Sequence, residues 1–194
     1  MSYELAMKVS ESNYLPDVIV AVSRGGLIPA RIVSDVMNVD GVHSIKASLW
    51  GVGGRISNEV LIHGVELPIK DKKVLIVDDV VDSGLTLIKI VSHVKSFGPI
   101  DVRTAVLHVK PSSKYLPDYY VSKLDEWLWV IYPWTSLEVL YSVLHKHYGC
   151  KVKDFDVDAL INEFYKLTGV GLTQNQRDLL AVAKKHYLSA LCRG

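Results

Sequence analysis

Two patterns alternate over the first two thirds of the chain, and this alternation restricts the fold more than any other feature. Short runs of apolar, often β-branched residues predict strands at residues 17–22, 42–49, 74–77 and 102–109. Apolar residues at helical spacing predict helices at residues 27–37 and 85–97. Strands that alternate with helices are typical of βαβ units. We therefore predict an α/β fold with a central, mostly parallel sheet flanked by helices.

From residue 135 onward the strand pattern ends and three helical patterns follow. Thr173 and Gln176 have the spacing of a capping box that opens the last helix, and Gly169 and Gly171 close the middle one. The sequence thus predicts two domains, one that contains the sheet over residues 1–134 and a small three-helix appendage over residues 135–194.

The composition excludes several classes of function. The 49% of hydrophobic and 22% of charged residues are typical of a globular protein. A net charge of +1 provides no overall field to attract nucleic acid or anionic lipid, so we expect neither as a partner. No apolar run approaches the roughly 18 residues of a membrane span. Cys150 and Cys192 are too few for a disulfide framework and lack the paired spacing of a zinc site, so we expect a reducing cytoplasm.

The most informative segment is residues 74–86, which predict a buried strand, an acidic turn and a helix. Asp78 and Asp79 place two carboxylates at the end of the strand. The loop that follows suits a phosphate monoester. Gly84 allows close backbone approach, and Ser83 and Thr86 place hydroxyls beside the amides of a helix N-terminus. Carboxylates would normally repel a nearby phosphate. Their presence is explained if they bind ribose hydroxyls and a Mg²⁺ ion, which typically takes one or two protein carboxylates and keeps several waters.

This segment resembles the 5-phosphoribosyl-1-pyrophosphate (PRPP) signature of type I phosphoribosyltransferases. The resemblance implies a grip on the 5-phosphate by Asp82, Ser83, Gly84, Leu85 and Thr86. It also implies that Asp78 and Asp79 orient the ribose hydroxyls, with Asp82 as the acid or base beside the purine. Mg²⁺ would arrive with PRPP, with Asp78 and Asp79 as its only candidate protein ligands. The histidines include no i, i+4 pair, so we expect no other protein-bound metal.

Three further segments resemble the purine-using members of the family, in the expected order. The first resembles the pyrophosphate loop, and the residues implied to bind PRPP and pyrophosphate are Ser23, Arg24, Gly25, Gly26 and Lys46. In the second, Lys110 follows a strand, and the resemblance implies that it faces the exocyclic position of the purine. The third resembles the hood of xanthine-guanine phosphoribosyltransferases, which implies that Trp129 stacks on the base and that the backbone of Val130 reads its edge. The resemblance covers roughly residues 17–134.

Residues 51–63 match the position of the family's flexible catalytic loop, and we predict a mobile lid there. The loop's sequence departs from the version with Ser-Tyr that is common in relatives. The residues of this region that contact the diphosphate are therefore not assigned, and the candidates are Lys46, Ser48 and Arg55.

The resemblance implies transfer of phosphoribose from PRPP to a purine, which yields a nucleoside monophosphate and pyrophosphate. The identity of the base stays open. The ammonium of Lys110 suits the carbonyl of guanine, hypoxanthine or xanthine better than the amino group of adenine. The helical C-terminal third, however, is similar to that of an archaeal group of adenine phosphoribosyltransferases, and on this layout we favour adenine and AMP. A regulator of the same fold that senses PRPP or a nucleotide is the third interpretation. We expect a homodimer.

Overall fold

The computed structural model describes residues 1–48, 50–51, 54–55, 61–63 and 67–192. The chain divides into two units, the first made of Met1–Leu49 and Glu59–Trp129 and the second of Trp50–Asn58 and Val130–Gly194. No helix in the described ranges is both long and apolar enough to cross a membrane.

Eight strands lie within the described residues: β1 (Val18–Ser23), β2 (Val42–Ser48), β3 (Trp50–Gly51), β4 (Gly54–Arg55), β5 (Leu61–His63), β6 (Lys73–Val81), β7 (Asp101–Val109) and β8 (Tyr119–Lys123). Six of them form the sheet of the first unit, in the order β5-β2-β1-β6-β7-β8. Every neighbouring pair is parallel except β2 and β5, which are antiparallel. The predicted central, mostly parallel sheet is therefore confirmed.

Helices cover both faces of this sheet. They are α1 (Ser2–Glu11), α2 (Leu27–Met37) and α3 (Leu85–Lys95). On one face, Leu87, Ile90 and Val94 of α3 share one apolar core with alternate residues of β1, among them Val20. The residues between these in β1 are also buried, and because alternate side chains of a strand point to opposite faces, they lie on the face that α1 and α2 cover. Burial on both faces explains why the strands read as continuous apolar runs.

The predicted helix at residues 27–37 is confirmed, but other boundaries differ from the predictions. Helix α3 ends at Lys95 rather than at residue 97, and both α1 and β8 lie outside the predicted elements. The strand predicted at residues 74–77 extends to Val81, because its pairing with β7 continues as far as Val81 and Val109. Asp78 and Asp79 therefore lie within the strand and not in a turn.

The described part of the lid predicted at residues 51–63 forms strands, which the sequence pattern did not predict, and the mobility of this segment stays a prediction. Strand β5 pairs with β2, and β3 pairs with β4 as a separate two-stranded ribbon. Backbone hydrogen bonds to a neighbouring strand, which a local sequence pattern does not reveal, decide this outcome. The rest of the lid, residues 52–53 and 56–60, lies outside the described residues, as does Leu49 at the end of the strand predicted at 42–49.

The second unit contains the three helices that the C-terminal patterns predict. They are α4 (Ser136–Tyr148), α5 (Val157–Thr168) and α6 (Gln174–Leu191), with a 3-10 helix at Gly149–Asp154. The capping box of Thr173 and Gln176 is present, and Gly169, with φ +70°, caps α5. These helices share one apolar core, which includes Leu140, Phe164 and Leu180.

A disulfide joins Cys150 in the 3-10 helix to Cys192 at the end of α6. Two cysteines are too few for a disulfide framework, and no pairing of them was predicted from the sequence. They are 42 positions apart, and the helices of the bundle bring their Cα atoms to 5.8 Å. Proximity of this kind depends on tertiary packing and is not visible in the spacing of the cysteines along the chain.

Candidate active site

Three neighbouring strands of the first unit deliver polar groups to the same edge of the sheet. Strand β1 is paired with β6 as far as Ala21 and Val77, and β6 with β7 as far as Val81 and Val109. The chain continues from β1 to β2 on one side and from β6 to β7 on the other, so the switch point of the sheet lies between β1 and β6. Ligands of open α/β sheets bind at such a point, at the carboxyl ends of the strands.

The loop after β1, predicted to bind pyrophosphate, runs close over β6. A Cβ atom built on Gly25 would overlap the carboxylate of Asp79, and one on Gly26 would overlap the carbonyl oxygen of Val77. A side chain at either position would therefore require a neighbour to move, which the carboxylate beside Gly25 can do by rotation and the strand backbone beside Gly26 cannot. The backbone of this loop therefore packs against the side chain of Asp79, one of the two acidic residues of the motif.

The other residues predicted to bind PRPP or pyrophosphate flank this loop. The hydroxyl of Ser23 donates to the carbonyl oxygen of Ile45 at 3.1 Å, and Arg24 is exposed. Lys46 is exposed at the end of β2, where it is the register partner of Ser23. The side chains of Ser48 and Arg55 lie outside the described residues. The structure therefore brings Ser23 and Lys46 together beside the glycines.

Asp78 and Asp79 form a close acidic pair near the end of β6. The amide of Asp79 donates to Oδ1 of Asp78 at 2.9 Å, and Asp79 is 8% exposed. Burial raises the pKa of Asp78, and the negative charge of Asp79 raises it further. The two negative charges repel each other, and a bound divalent cation would relieve this repulsion. Mg²⁺ fits such a site because it prefers oxygen ligands.

The loop after β6, predicted to hold the 5-phosphate, is a tight turn into α3. Gly84 has φ +82°, and a Cβ there would lie 2.8 Å from the amide nitrogen of Tyr115. The hydroxyl of Ser83 accepts from the amide of Leu85 at 3.5 Å. Thr86 is half-buried in the first turn of the helix. First-turn amides have no partner within a helix, so this end of α3 suits an anion.

Asp82 stands between this loop and the end of β7, and both of its carboxylate oxygens are engaged. Oδ2 accepts from Nζ of Lys110 at 3.0 Å. Oδ1 accepts from the hydroxyl of Ser112 at 2.8 Å and from Nε1 of Trp127 at 3.2 Å. Nζ of Lys110 also lies 4.1 Å from the centroid of the Trp127 ring. The cluster joins an acceptor and a cation, the two groups needed beside a purine with a ring proton and a carbonyl.

Two members of this cluster, Trp127 and Ser112, are absent from the sequence-based site. The tryptophan that the resemblance assigns to the base, Trp129, lies edge-to-face against Trp127 with ring centroids 6.1 Å apart and is 42% exposed. Val130 is half-buried and begins the second unit. A hydrogen bond to a carboxylate 45 positions away leaves no local pattern, so the sequence alone did not distinguish Trp127.

The chain is similar to proteins of one enzyme family. The model of the phosphoribosyl transferase domain matches residues 2–138. The xanthine-guanine phosphoribosyltransferase of Cereibacter sphaeroides is 34% identical over 119 residues, which are 60% of this chain and 67% of that protein.

Two solved structures extend the similarity to the fold. A purine phosphoribosyltransferase from Pyrococcus horikoshii is 38% identical with a TM-score of 0.55, and the match covers 69% of this chain and 85% of that one. The xanthine-guanine-hypoxanthine phosphoribosyltransferase of Helicobacter pylori is 28% identical with a TM-score of 0.55, over 65% of this chain and 81% of that one.

Proposed function

Because the chain belongs to the phosphoribosyltransferase family and is a purine phosphoribosyltransferase, we propose that its substrate is a 6-oxopurine, namely guanine, hypoxanthine or xanthine. The observation that carries this proposal is the buried ammonium of Lys110, 3.0 Å from Asp82. An ammonium has only hydrogen-bond donors, which match the carbonyl of an oxopurine and conflict with the amino group of adenine.

The curated relatives support the same choice, since they are named xanthine-guanine phosphoribosyltransferases. The preference for adenine in the sequence analysis rested on the C-terminal helices. The groups that read the exocyclic position of the base belong instead to the first unit. We therefore place the oxopurines ahead of adenine.

The proposed roles at the PRPP end follow the geometry of the loops. The amide of Gly25 with Arg24, Ser23 and Lys46 holds the departing pyrophosphate, and the turn at Ser83 and Gly84 with the amides of α3 holds the 5-phosphate. The amide of Gly26, which the resemblance also assigned to pyrophosphate, donates instead to the carbonyl oxygen of Val22 at 2.8 Å. Asp78 and Asp79 orient the ribose hydroxyls and would hold Mg²⁺ together with PRPP. The ion would supply positive charge beside the pyrophosphate.

At the purine end, we assign Asp82 as the general base. As the bond between the purine nitrogen and C1′ of the ribose forms and the bond to pyrophosphate breaks, the carboxylate of Asp82 accepts the proton of the ring nitrogen. Lys110 donates to the 6-carbonyl and fixes the orientation of the base. Stacking by Trp129 and edge recognition by the backbone of Val130 stay predictions.

The test is pyrophosphate release in the presence of PRPP and Mg²⁺, with guanine, hypoxanthine, xanthine and adenine supplied in separate reactions. We expect kcat/KM for at least one oxopurine to exceed that for adenine by about 100-fold or more, because adenine leaves the Lys110 ammonium without an acceptor. A preference for adenine would overturn the proposal. Binding of PRPP without turnover of any base would favour the regulator of the same fold.

Three further expectations belong to this proposal. We propose that residues 1–134 form the catalytic domain and residues 135–194 a separate bundle, that the enzyme is a homodimer, and that it acts in the cytoplasm. Light scattering on the full chain measures the molar mass in solution and therefore tests the homodimer. Truncation after Trp134 tests the division, because a folded, fully active monomer would show that the bundle contributes neither to assembly nor to the site.

A further inference from the structure

Three side chains of the second unit that can bind metals meet at one end of the helical bundle. They are His145 near the end of α4, Cys150 in the 3-10 helix and Cys192 after α6. Their ligand atoms all lie within 4.8 Å of one another, and Nε2 of His145 is 3.8 Å from Sγ of Cys150. Three different elements thus converge on one nitrogen and two sulfur atoms.

Each of these three positions also has a buried neighbour in the core of the bundle. Leu144 precedes His145 and is fully buried, and Val152, two positions after Cys150, is fully buried as well. Leu188 anchors the last turn of α6 in the same core, one helical turn before Cys192. Since buried neighbours fix each backbone, cleavage of the S–S bond leaves the ligands close together.

We propose that, after reduction of the disulfide, His145, Cys150 and Cys192 bind a divalent transition metal of borderline softness such as Zn²⁺. A dithiol reductant supplies two electrons and two protons, the S–S bond breaks, two thiols form, and the reductant becomes a cyclic disulfide. Metal binding then releases the two thiol protons to solvent and forms two metal–thiolate bonds and one bond to the imidazole. The fourth position of the tetrahedron is left to water.

The distances suit this coordination. Zn–S bonds of about 2.3 Å and Zn–N bonds of about 2.0 Å at tetrahedral angles separate the nitrogen from each sulfur by roughly 3.5 Å and the two sulfurs by roughly 3.8 Å. The observed 3.8 Å between Nε2 of His145 and Sγ of Cys150 is about 0.3 Å longer than the first of these separations, a difference that a small side-chain rotation removes. The two sulfurs need only separate by rotation about their side-chain bonds. Thiolates and imidazole select Zn²⁺ over Mg²⁺, so this site is chemically distinct from the acidic pair of β6.

No protein-bound metal was predicted here from the sequence, because the two cysteines lack the paired spacing of a zinc site and the histidines include no i, i+4 pair. His147 provides a matched control on the same helix. It lies two positions from His145, stacks edge-on against Tyr148 with ring centroids 4.5 Å apart, and is not part of the cluster.

The experiment uses the full chain, reduced with a dithiol, freed of metal and transferred to reductant-free anaerobic buffer. Co²⁺ is titrated as a spectroscopic probe, and Zn²⁺ affinity is measured by competition with a chromophoric chelator. We expect one equivalent of Co²⁺ with a thiolate-to-metal charge-transfer band and tetrahedral d–d bands. The oxidised chain should show neither band.

The variants identify the ligands. Cys150→Ser and Cys192→Ser should weaken Zn²⁺ binding by more than about 100-fold, and His145→Gln by at least about 10-fold, whereas His147→Gln should leave it unchanged. Far-UV circular dichroism and phosphoribosyl transfer verify that each variant is folded. Alkylation of the reduced wild-type chain removes both thiolates without a mutation. Absence of the charge-transfer band in the reduced wild type, or its persistence after alkylation, would overturn the proposal.

Discussion

Nζ of Lys110 lies 3.0 Å from Oδ2 of Asp82, at the carboxyl ends of two neighbouring strands. The side chain of Lys110 is 8% exposed and that of Asp82 22% exposed. Partial burial excludes most of the water that would otherwise weaken the pair. The indole N–H of Trp127 completes the cluster from outside. The residue proposed to read the base therefore also holds the proposed general base in position.

Replacement of this lysine tests its role in base selection. Lys110→Met keeps the side-chain length but removes the ammonium, and we expect kcat/KM for the oxopurines to fall by about 100-fold. Asp82 would lose its partner, so the melting temperature should fall as well. Lys114→Met, at an exposed position four residues along, is the control. Unchanged oxopurine turnover in Lys110→Met would contradict the assignment.

Asp82→Asn separates the chemistry from the hydrogen bonding of the cluster. The amide retains one acceptor oxygen but cannot take up the purine proton, so kcat should fall by about 100- to 1,000-fold. Binding of PRPP, measured by calorimetry, should change little. Asp125→Asn, on the exposed surface, is the matched control. If the Asp82→Asn variant folds normally and keeps full turnover, Asp82 is not the acid or base.

The two glycines after β1 should respond differently to the same substitution. In Gly25→Ala the new methyl group meets the carboxylate of Asp79, which can rotate, so we expect a higher KM for PRPP and a small loss of stability. In Gly26→Ala the new methyl group meets the backbone of β6, which cannot move, and we expect the free energy of unfolding to fall by about 1–3 kcal/mol.

Gly171→Ala provides the control, because a Cβ there has no neighbour within 4 Å. Chemical denaturation and PRPP kinetics on the three variants measure both effects. Equal loss of stability in Gly25→Ala and Gly26→Ala would show that the carboxylate of Asp79 is as fixed as the strand.

The raised pKa of Asp78 predicts how stability depends on pH. The ordinary pKa is 3.8, and burial together with the charge of Asp79 raises it in the folded chain. The protonated side chain therefore contributes stability that is fully present below the unfolded pKa and is lost as the pH rises through the folded pKa. As the pH rises above the ordinary pKa, the unfolded chain ionises this side chain more readily than the folded chain does, and the fold loses that contribution.

Asp78→Asn removes this penalty. The variant should be more stable than the wild type at pH 7 and equally stable below about pH 4, when both side chains are neutral. Denaturant titrations over this range, with a chelator present to exclude divalent cations, measure the difference. A variant less stable than the wild type at neutral pH would show that burial of Asp78 does not strain the fold.

The disulfide should stabilise the second unit when it is formed. It closes a loop over a sequence separation of 42 residues, which the chain-entropy model values at roughly 4 kcal/mol. The Cys150→Ser, Cys192→Ser double variant should lose up to about this amount, measured as a lower denaturation midpoint of the bundle in metal-free buffer. Ser189→Ala, near the end of the same helix, serves as the control. An unchanged midpoint would mean that the bundle does not depend on the cross-link.

Local patterns were sufficient to predict much of the fold. The helix at residues 27–37 and the cap of α6 at Thr173 agree with the structure because they depend on residues within one or two helical turns. The same reasoning failed for β6, whose last four residues are held by pairing with β7, and for β5, which pairs with β2. Strand pairing involves distant parts of the chain, and local periodicity does not encode it.

By itself, the sequence determined the class of fold, the acidic motif on β6 and the glycine loop after β1, because each is a short pattern with its own physical requirement. Only the tertiary structure decided which side chains meet. The contact of Gly25 with Asp79, the attachment of Trp127 to Asp82, and the approach of His145 to the two cysteines join residues far apart in the chain. Sheet register and helix packing set these distances, and both depend on the whole unit folding at once.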